Sequence, residues 1–113
     1  MTAPSRPERR ALLELVALLD NIQRLVADGD HERFTADDHY RWIIERLWIA
    51  LGNEAEAYLR LANPPQQDPW RFLPRLRNEL AHVRLADIDQ ERVWRVTVLR
   101  PPALVERARQ LLR

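Results

Sequence analysis

Apolar residues in this 113-residue chain return at every third or fourth position, and few residues interrupt the pattern. One series near the N-terminus advances in steps of 3, 4, 3 and 4, the period of an α-helix with one buried face. Only two glycines occur, and no segment keeps the every-second-residue alternation of a half-buried strand. The pattern therefore predicts an all-α fold. The series consists of Leu12, Leu15, Leu19, Ile22 and Val26.

Capping residues define where the first long helix begins and ends. Ser5, followed by Pro7 and Glu8, is typical of a helix start. A serine side chain can accept a hydrogen bond from a backbone amide of the first turn, and a proline there lacks only an N–H group that would have no partner within the helix. The Asp-Gly-Asp segment at residues 28–30 is predicted to end the helix.

A second long helix follows a predicted loop through His31 and Phe34. Thr35, with Asp38 three residues later, indicates its start, and it runs to about Ala62, where Asn-Pro-Pro at 63–65 stops it. We expect one wide apolar face, formed by Ile44, Leu47, Trp48, Leu51, Ala55, Tyr58 and Leu59.

The C-terminal half is predicted to form shorter helices. Asp68 and the proline after it open a helical region that Pro74 divides into a short turn and a longer helix. Asp87 or Asp89 caps the next helix, and two prolines at 101–102 separate it from a last one. We expect residues 1–113 to form a single domain, an up-and-down bundle of two long helices and shorter C-terminal ones.

Charge is divided unevenly between the two halves. All 18 basic residues are arginine. Residues 1–66 hold 8 arginines and 11 acidic residues, a net charge of −3, whereas residues 67–113 hold 10 arginines and 6 acidic residues, a net charge of +4. Arginine makes bidentate contacts with phosphate, so the second half is a candidate for nucleic-acid binding. The competing interpretation is that these arginines lie on solvent-exposed surfaces and bind no nucleic acid.

Several protein classes are excluded at this stage. Without cysteine the chain has no disulfide, thiolate nucleophile or thiolate metal site. No apolar run reaches the ~18 residues of a membrane span, no signal peptide is recognisable, and no phosphate-binding glycine loop or nucleophile elbow occurs. His31, His39 and His82 lack metal-ligand spacing. We therefore expect a cytoplasmic protein with no metal and no cofactor, and His31 and His39 on its surface.

The segment 71–84 carries the strongest chemical signal. At helical period it separates into a predicted buried stripe and a polar stripe, with Arg77 on the flank between them. Arg77 and His82 are five residues apart, about 140° around a helix, so one helix does not bring them side by side. The predicted buried stripe is Leu73, Leu76, Leu80 and Val83. The polar stripe is Arg71, Arg75, Asn78 and His82.

A guanidinium and an imidazole suit the cleavage of RNA phosphodiesters. The imidazole can take the 2′-hydroxyl proton or protonate the leaving 5′-oxygen, and the guanidinium can stabilise charge on the phosphoryl oxygens. Neither role needs a metal. An arginine and a histidine on a polar helix face are also commonly structural, so residue type alone leaves both interpretations open.

The order Arg77-Asn78-x-x-x-His82 resembles the signature of the HEPN superfamily, and its surroundings resemble the HepT toxins of HepT/MNT toxin–antitoxin pairs. The resemblance implies an all-α homodimer and a metal-independent endoribonuclease, acting on tRNA or mRNA in a cleft between two motif helices. Arg77 and His82 would be catalytic, and Asn78 would position them. Independently of the resemblance, the guanidiniums near the motif are candidate RNA-binding groups: Arg71, Arg75 and Arg84.

Further segments extend this resemblance over most of the chain. A Pro-Trp pair precedes the motif at 69–70, and an Asp-rich turn at 87–89 with a Val-Trp pair at 93–94 follows it. Leu99 to Leu104 matches the family's last helix start, and Arg46 to Gly52 matches a stretch of the second long helix more loosely.

Two positions depart from the family pattern. Many HepT proteins have, two residues after the histidine, a tyrosine that the MNT nucleotidyltransferase modifies, and here that position is Arg84. Control by a bound MNT-type antitoxin, or no such control, is therefore a better expectation than control by modification. Asn53 stands where the family often has glutamate after Gly52.

Three functional hypotheses follow from the sequence. The first is the HEPN-type ribonuclease toxin just described. The second is a non-catalytic HEPN-fold dimer that binds a nucleotidyltransferase partner or RNA, a reading to which Glu79 within the motif lends weight. The third is a purely structural helical dimer.

Overall fold

The computed structural model describes residues 3–113, most of which are helical and none of which form a strand. Two long helices of 22 and 25 residues and four shorter ones form a bundle, so the all-α prediction is confirmed. Two short 3₁₀ turns, Pro69–Arg71 and Leu85–Asp87, connect some of the helices. The helices are α1 (Arg6–Ala27), α2 (His31–Ala36), α3 (Asp38–Ala62), α4 (Phe72–His82), α5 (Gln90–Leu99) and α6 (Pro101–Leu112).

Helix α1 begins as its capping residues predict. The Ser5 hydroxyl accepts the amide of Glu8 at 3.2 Å and donates to its carboxylate at 3.1 Å. This reciprocal pairing satisfies an amide that the first helical turn would leave free. Four members of the predicted apolar series are fully buried, and Val26, nearest the C-terminus, is half-buried.

The predicted loop at residues 31–34 is wrong, because these residues belong to the short helix α2. Asp30 caps α2 by accepting the Arg33 amide at 2.8 Å, and Phe34 is buried, its ring centroid 5.1 Å from that of Trp94 in α5. A helix of six residues is too short to show an apolar period in the sequence. The predicted start at Thr35 also moves, since α3 begins at Asp38.

The residue that caps α3 is Asp37, whose carboxylate accepts the amide of Tyr40 at 3.2 Å. The helix ends where expected, at Ala62, with Asn63 in the left-handed conformation at φ 45°. Asparagine tolerates this conformation better than most residues, and the prolines that follow prevent further helix.

Pro74 does not divide the third helical region as predicted. It is the third residue of α4, where a missing amide costs nothing because the first turn has no acceptor for it. The 3₁₀ turn Pro69–Arg71 passes directly into α4. Of the two predicted caps for the next helix, Asp89 is the one used, and it accepts the Arg92 amide at 3.1 Å.

Helix α3 is the centre of the bundle, packing against α1 on one side and α4 on another. Its buried residues join those of the other helices in one hydrophobic core. A buried hydrogen bond of 2.9 Å from the Trp48 indole to the Thr97 hydroxyl ties α3 to α5. This packing fixes α4, which carries the Arg-Asn-x-x-x-His segment, against α3.

None of the helices in residues 3–113 is long and apolar enough to cross a membrane.

Candidate functional site

The Arg-Asn-x-x-x-His segment lies on α4, which buries one face against the core. Leu73, Leu76 and Leu80 are buried, as the spacing predicts. Val83, predicted as the fourth member, is 40% exposed because α4 ends at His82 and the backbone becomes extended at Val83. The helical period therefore no longer applies at that residue.

A glycine on α3 allows α4 to approach closely beside Arg77. A β-carbon added at Gly52 would lie 2.3 Å from the Arg77 β-carbon and 2.9 Å from the Leu73 carbonyl oxygen. Both distances are shorter than van der Waals contact, and both neighbours belong to or adjoin the backbone. Gly52 is therefore required by the close packing of the two helices, and it brings the base of Arg77 against α3.

The Arg77 guanidinium is held by three side-chain acceptors. Its Nε donates to Asn78 Oδ1 at 3.1 Å, and its Nη1 donates to Asn53 Oδ1 at 3.1 Å and to Glu56 Oε2. The Arg77 side chain is 17% exposed. Three of the five N–H groups of an arginine are thus committed, and the two on Nη2 have no hydrogen-bond partner among residues 3–113.

The carboxylate of Glu56 lies between two arginines. Oε2 accepts from Arg77 on α4, and Oε1 accepts from Arg60 Nη2 at 2.9 Å one turn along α3. The hydrogen bond from Arg77 and the charge of Arg77 lower the pKa of Glu56, and Arg60 adds to the effect. Glu56 is therefore ionised at neutral pH, which keeps the carboxylate available to both arginines.

The imidazole of His82 occupies the C-terminal end of α4 and is exposed. Asn78 and Arg75, on the same helix, are exposed as well, so three of the four predicted polar-stripe residues face outward. The end of α4 thus presents an imidazole, an amide and a guanidinium that an approaching ligand can reach.

Arg71, the fourth predicted member of the polar stripe, is bonded to the backbone. Its Nε donates to the Pro65 carbonyl at 3.0 Å and its Nη2 donates to the Pro64 carbonyl. These bonds hold the loop between α3 and α4, and they reduce the capacity of Arg71 to contact RNA. Arg84, the remaining predicted RNA-binding residue, is exposed directly before the 3₁₀ turn that follows α4.

Glu79, the acidic residue within the motif, pairs with Arg92 of α5. Its charge is thereby offset by a guanidinium from outside the motif. This ion pair also ties α4 to α5.

Sequence reasoning missed two of the residues that hold Arg77. Glu56 was unremarkable in the sequence, because its partner lies 21 residues away on another helix. Asn53 had been noted only as a departure from the family pattern, and the structure makes it an acceptor for Arg77. Their signal in the sequence is the presence of two polar residues one helical turn apart directly after the helical glycine.

An exposed aromatic residue continues the α3 face that bears Asn53. Trp42 lies eleven residues earlier, about three helical turns, and so points within about 20° of the same direction. It is 48% exposed, and its neighbour Ile43 is 51% exposed. Adjacent helix residues point about 100° apart, so Trp42 and Ile43 lie on the outward half of α3 without sharing one face, and Trp42 is the one aligned with Asn53.

The described part of the chain contains no group of three or more histidine, aspartate or glutamate side chains arranged to hold a metal ion. Comparison with protein-family models, with curated proteins and with solved structures finds no significant match.

Proposed function

We propose that this protein is a metal-independent endoribonuclease of the HEPN type, with Arg77 and His82 as its catalytic residues. The observation that carries the proposal is the state of these two side chains. Arg77 is held by three hydrogen bonds with its Nη2 group unused, and His82 is exposed on the same helix. A fixed cation and an accessible imidazole are the two groups that RNA transesterification needs.

The reaction follows from the chemistry of these groups. His82 in its neutral form accepts the proton of a ribose 2′-hydroxyl, whose oxygen then attacks the adjacent phosphorus. The bond from phosphorus to the 5′-oxygen breaks, and an imidazolium returns a proton to that oxygen. Arg77 donates hydrogen bonds from Nη2 to the phosphoryl oxygens as their charge rises. The products are a 2′,3′-cyclic phosphate and a free 5′-hydroxyl.

The separation of Arg77 and His82 around α4 supports a dimeric site. One helix directs them about 140° apart, so a second copy related by a two-fold axis would supply the complementary group. Trp42, half exposed and aligned on α3 with Asn53, offers an apolar contact for that copy, because Asn53 itself contacts Arg77. We therefore propose a homodimer with a composite site formed by two motif helices.

Control of the enzyme by an MNT-type nucleotidyltransferase antitoxin is part of the proposal. Arg84 replaces the tyrosine that such partners modify in many HepT proteins, so the antitoxin would act by covering the site. The RNA substrate, tRNA or mRNA, would contact the exposed Arg75 and Arg84. We place this activity in the cytoplasm, where RNA and such an antitoxin would be present.

The deciding experiment is cleavage of total tRNA by purified protein in the presence of EDTA. Wild type is expected to cut and to leave 2′,3′-cyclic phosphate ends, and the His82→Ala and Arg77→Ala variants are expected to be inactive. His31→Ala and Arg109→Ala are matched controls, because they remove a half-exposed histidine on α2 and an exposed arginine on α6. Both controls should retain cleavage.

A folded wild-type dimer that cuts neither tRNA nor mRNA would overturn the ribonuclease assignment. The alternative is a non-catalytic HEPN-fold dimer that binds a nucleotidyltransferase or RNA. It is favoured by one observation, that the bonds of Arg77 to Asn53 and Glu56 also serve to join α3 to α4. Cleavage that survives both site substitutions would indicate a contaminating nuclease.

A further inference from the structure

We infer that Glu56 is a positioning residue for the ribonuclease proposed above, because its carboxylate fixes the guanidinium of Arg77 for catalysis. This inference rests on the proposed function and names a residue outside the Arg-Asn-x-x-x-His segment. The evidence is that Glu56 contacts Arg77 and lies on α3, a different helix from the motif.

The arrangement restrains the guanidinium from two directions. Asn53 and Glu56, three residues apart on α3, both accept from Nη1, while Asn78 on α4 accepts from Nε. Residues three apart on a helix share a face, so α3 supplies two acceptors at neighbouring points. The planar guanidinium then has one orientation that satisfies all three bonds, with Nη2 left for a phosphoryl oxygen.

Charge distinguishes Glu56 from the two asparagines. It is the one ionised acceptor on Arg77 among the described residues, so its hydrogen bond adds the Coulomb attraction of an ion pair, which the bonds to the neutral amides lack. Its second oxygen is occupied by Arg60, which limits rotation of the carboxylate. Arg60 also offsets the negative charge that Glu56 would otherwise bring near an RNA phosphate.

The tight packing at the base of Arg77 makes the position of the guanidinium depend on these acceptors. Gly52 lies against the Arg77 β-carbon, so the start of the side chain is fixed by the backbone. The far end of the side chain is held by the hydrogen bonds of the guanidinium to Asn53, Glu56 and Asn78. Misplacing a catalytic group by about 1 Å can reduce a rate by about a hundredfold, so loss of the Glu56 charge should be measurable in kcat.

The test moves the negative charge between two neighbouring side chains without changing their shapes. Glu56→Gln removes the charge, and the double variant Asn53→Asp with Glu56→Gln returns a carboxylate to the place where the Asn53 oxygen lies 3.1 Å from Nη1. Glu54→Gln is the matched control, because it removes the same charge from α3 at a residue that lines a groove against α1.

Cleavage of total tRNA in EDTA is measured for all four proteins, with kcat and KM determined separately. Glu56→Gln is expected to lower kcat about tenfold to a hundredfold with little change in KM, and the double variant to recover most of the loss. A Glu56→Gln protein with wild-type kcat, or a double variant no better than the single one, would overturn the inference.

A second readout separates this inference from the ribonuclease assignment. The NMR signal of the Arg77 Nε–H group, assigned by its absence in Arg77→Lys, should move in Glu56→Gln and return in the double variant. If the signal behaves in this way but wild type cuts no RNA, Glu56 positions Arg77 and the ribonuclease proposal is wrong. An Arg77 signal that is unaffected by Glu56→Gln would remove the basis of the inference whatever the activity.

Discussion

Gly52 and Arg77 lie so close that a single methyl group at Gly52 would reach to 2.3 Å from the Arg77 β-carbon. The two residues lie on different helices, and their contact sets how near α4 can approach α3. Because Arg77 is a proposed catalytic residue, the same contact links the stability of the bundle to the geometry of the site.

Gly52→Ala should destabilise the protein and lower its activity. In an exposed helix position this change gains about 1 kcal/mol of helix propensity, but here the added carbon meets the Arg77 β-carbon and the Leu73 carbonyl. Overpacking of this kind typically costs about 1–3 kcal/mol, so the clash should prevail. Urea unfolding measures the difference in the free energy of unfolding.

The matched control for this variant is Ala57→Gly. It measures the propensity difference between the same two residue types at an exposed position of α3. If Gly52→Ala stabilises the protein by about as much as Ala57→Gly destabilises it, the close approach of the two helices is not a real constraint.

His82→Ala should separate function from stability. The imidazole is exposed at the end of α4, so its removal should change the free energy of unfolding by less than about 0.5 kcal/mol. tRNA cleavage should nevertheless be lost. Thermal unfolding together with the EDTA cleavage assay checks both statements. A strongly destabilised variant would show that His82 has a packing role, and its inactivity would then say nothing about catalysis.

Trp42→Asp should convert the proposed dimer into a monomer, since a charge on the exposed apolar face of α3 would have to be buried in the interface. Sedimentation velocity is expected to give twice the 13.4 kDa chain mass for wild type and the chain mass for the variant. RNA cleavage should be lost together with the dimer, because the proposed site is composite.

Leu99→Asp is the control for that experiment. Leu99 is 70% exposed at the end of α5 and is more exposed than Trp42. The variant therefore also replaces an exposed apolar side chain by a charged one, but on another helix. It should leave the dimer intact. A monomeric wild type, or equal dissociation by both substitutions, would contradict dimerisation through α3.

Glu45→Gln should stabilise the protein at neutral pH. Glu45 is buried in α3, its Oε1 lies 3.7 Å from Arg41 Nε without a hydrogen bond, and burial raises its pKa. Arg41 also donates to the carbonyls of Phe34 and Thr35, so it keeps partners in the variant. We expect a gain on the order of 1 kcal/mol at pH 7, because the neutral amide avoids the cost of burying a charge.

The pH dependence of that gain provides a further check. The pKa of Glu45 is higher in the folded protein than in the unfolded chain, so the ionised carboxyl destabilises the fold above the folded pKa. As the pH falls toward about 4, the wild-type carboxyl becomes protonated in the folded state, and the two proteins should converge in stability. Glu14→Gln, at an exposed position of α1, is the control and should show no such convergence. A difference that stays constant with pH would contradict the assignment.

Much of the fold could be predicted from local residue patterns. Helix α1 follows from apolar residues that recur once per turn and from a capping residue within one turn of its start. The end of α3 likewise follows from the residues directly after it. The polar residues of α4 were likewise identified from spacing alone. The short helix α2 could not be predicted in this way, because six residues contain no full period and Phe34 is buried by Trp94 of α5.

The amino-acid sequence by itself determined the helical class, the two long helices and the set of chemical groups on α4, since helix propensity, capping and periodicity act between near neighbours. The tertiary structure decided what those groups contact. Arg77 is held by acceptors 21 and 24 residues away, and Arg71 is drawn to the loop carbonyls. The partners of Arg77 depend on how closely α3 and α4 pack, and that distance is set at Gly52 by the absence of a side chain.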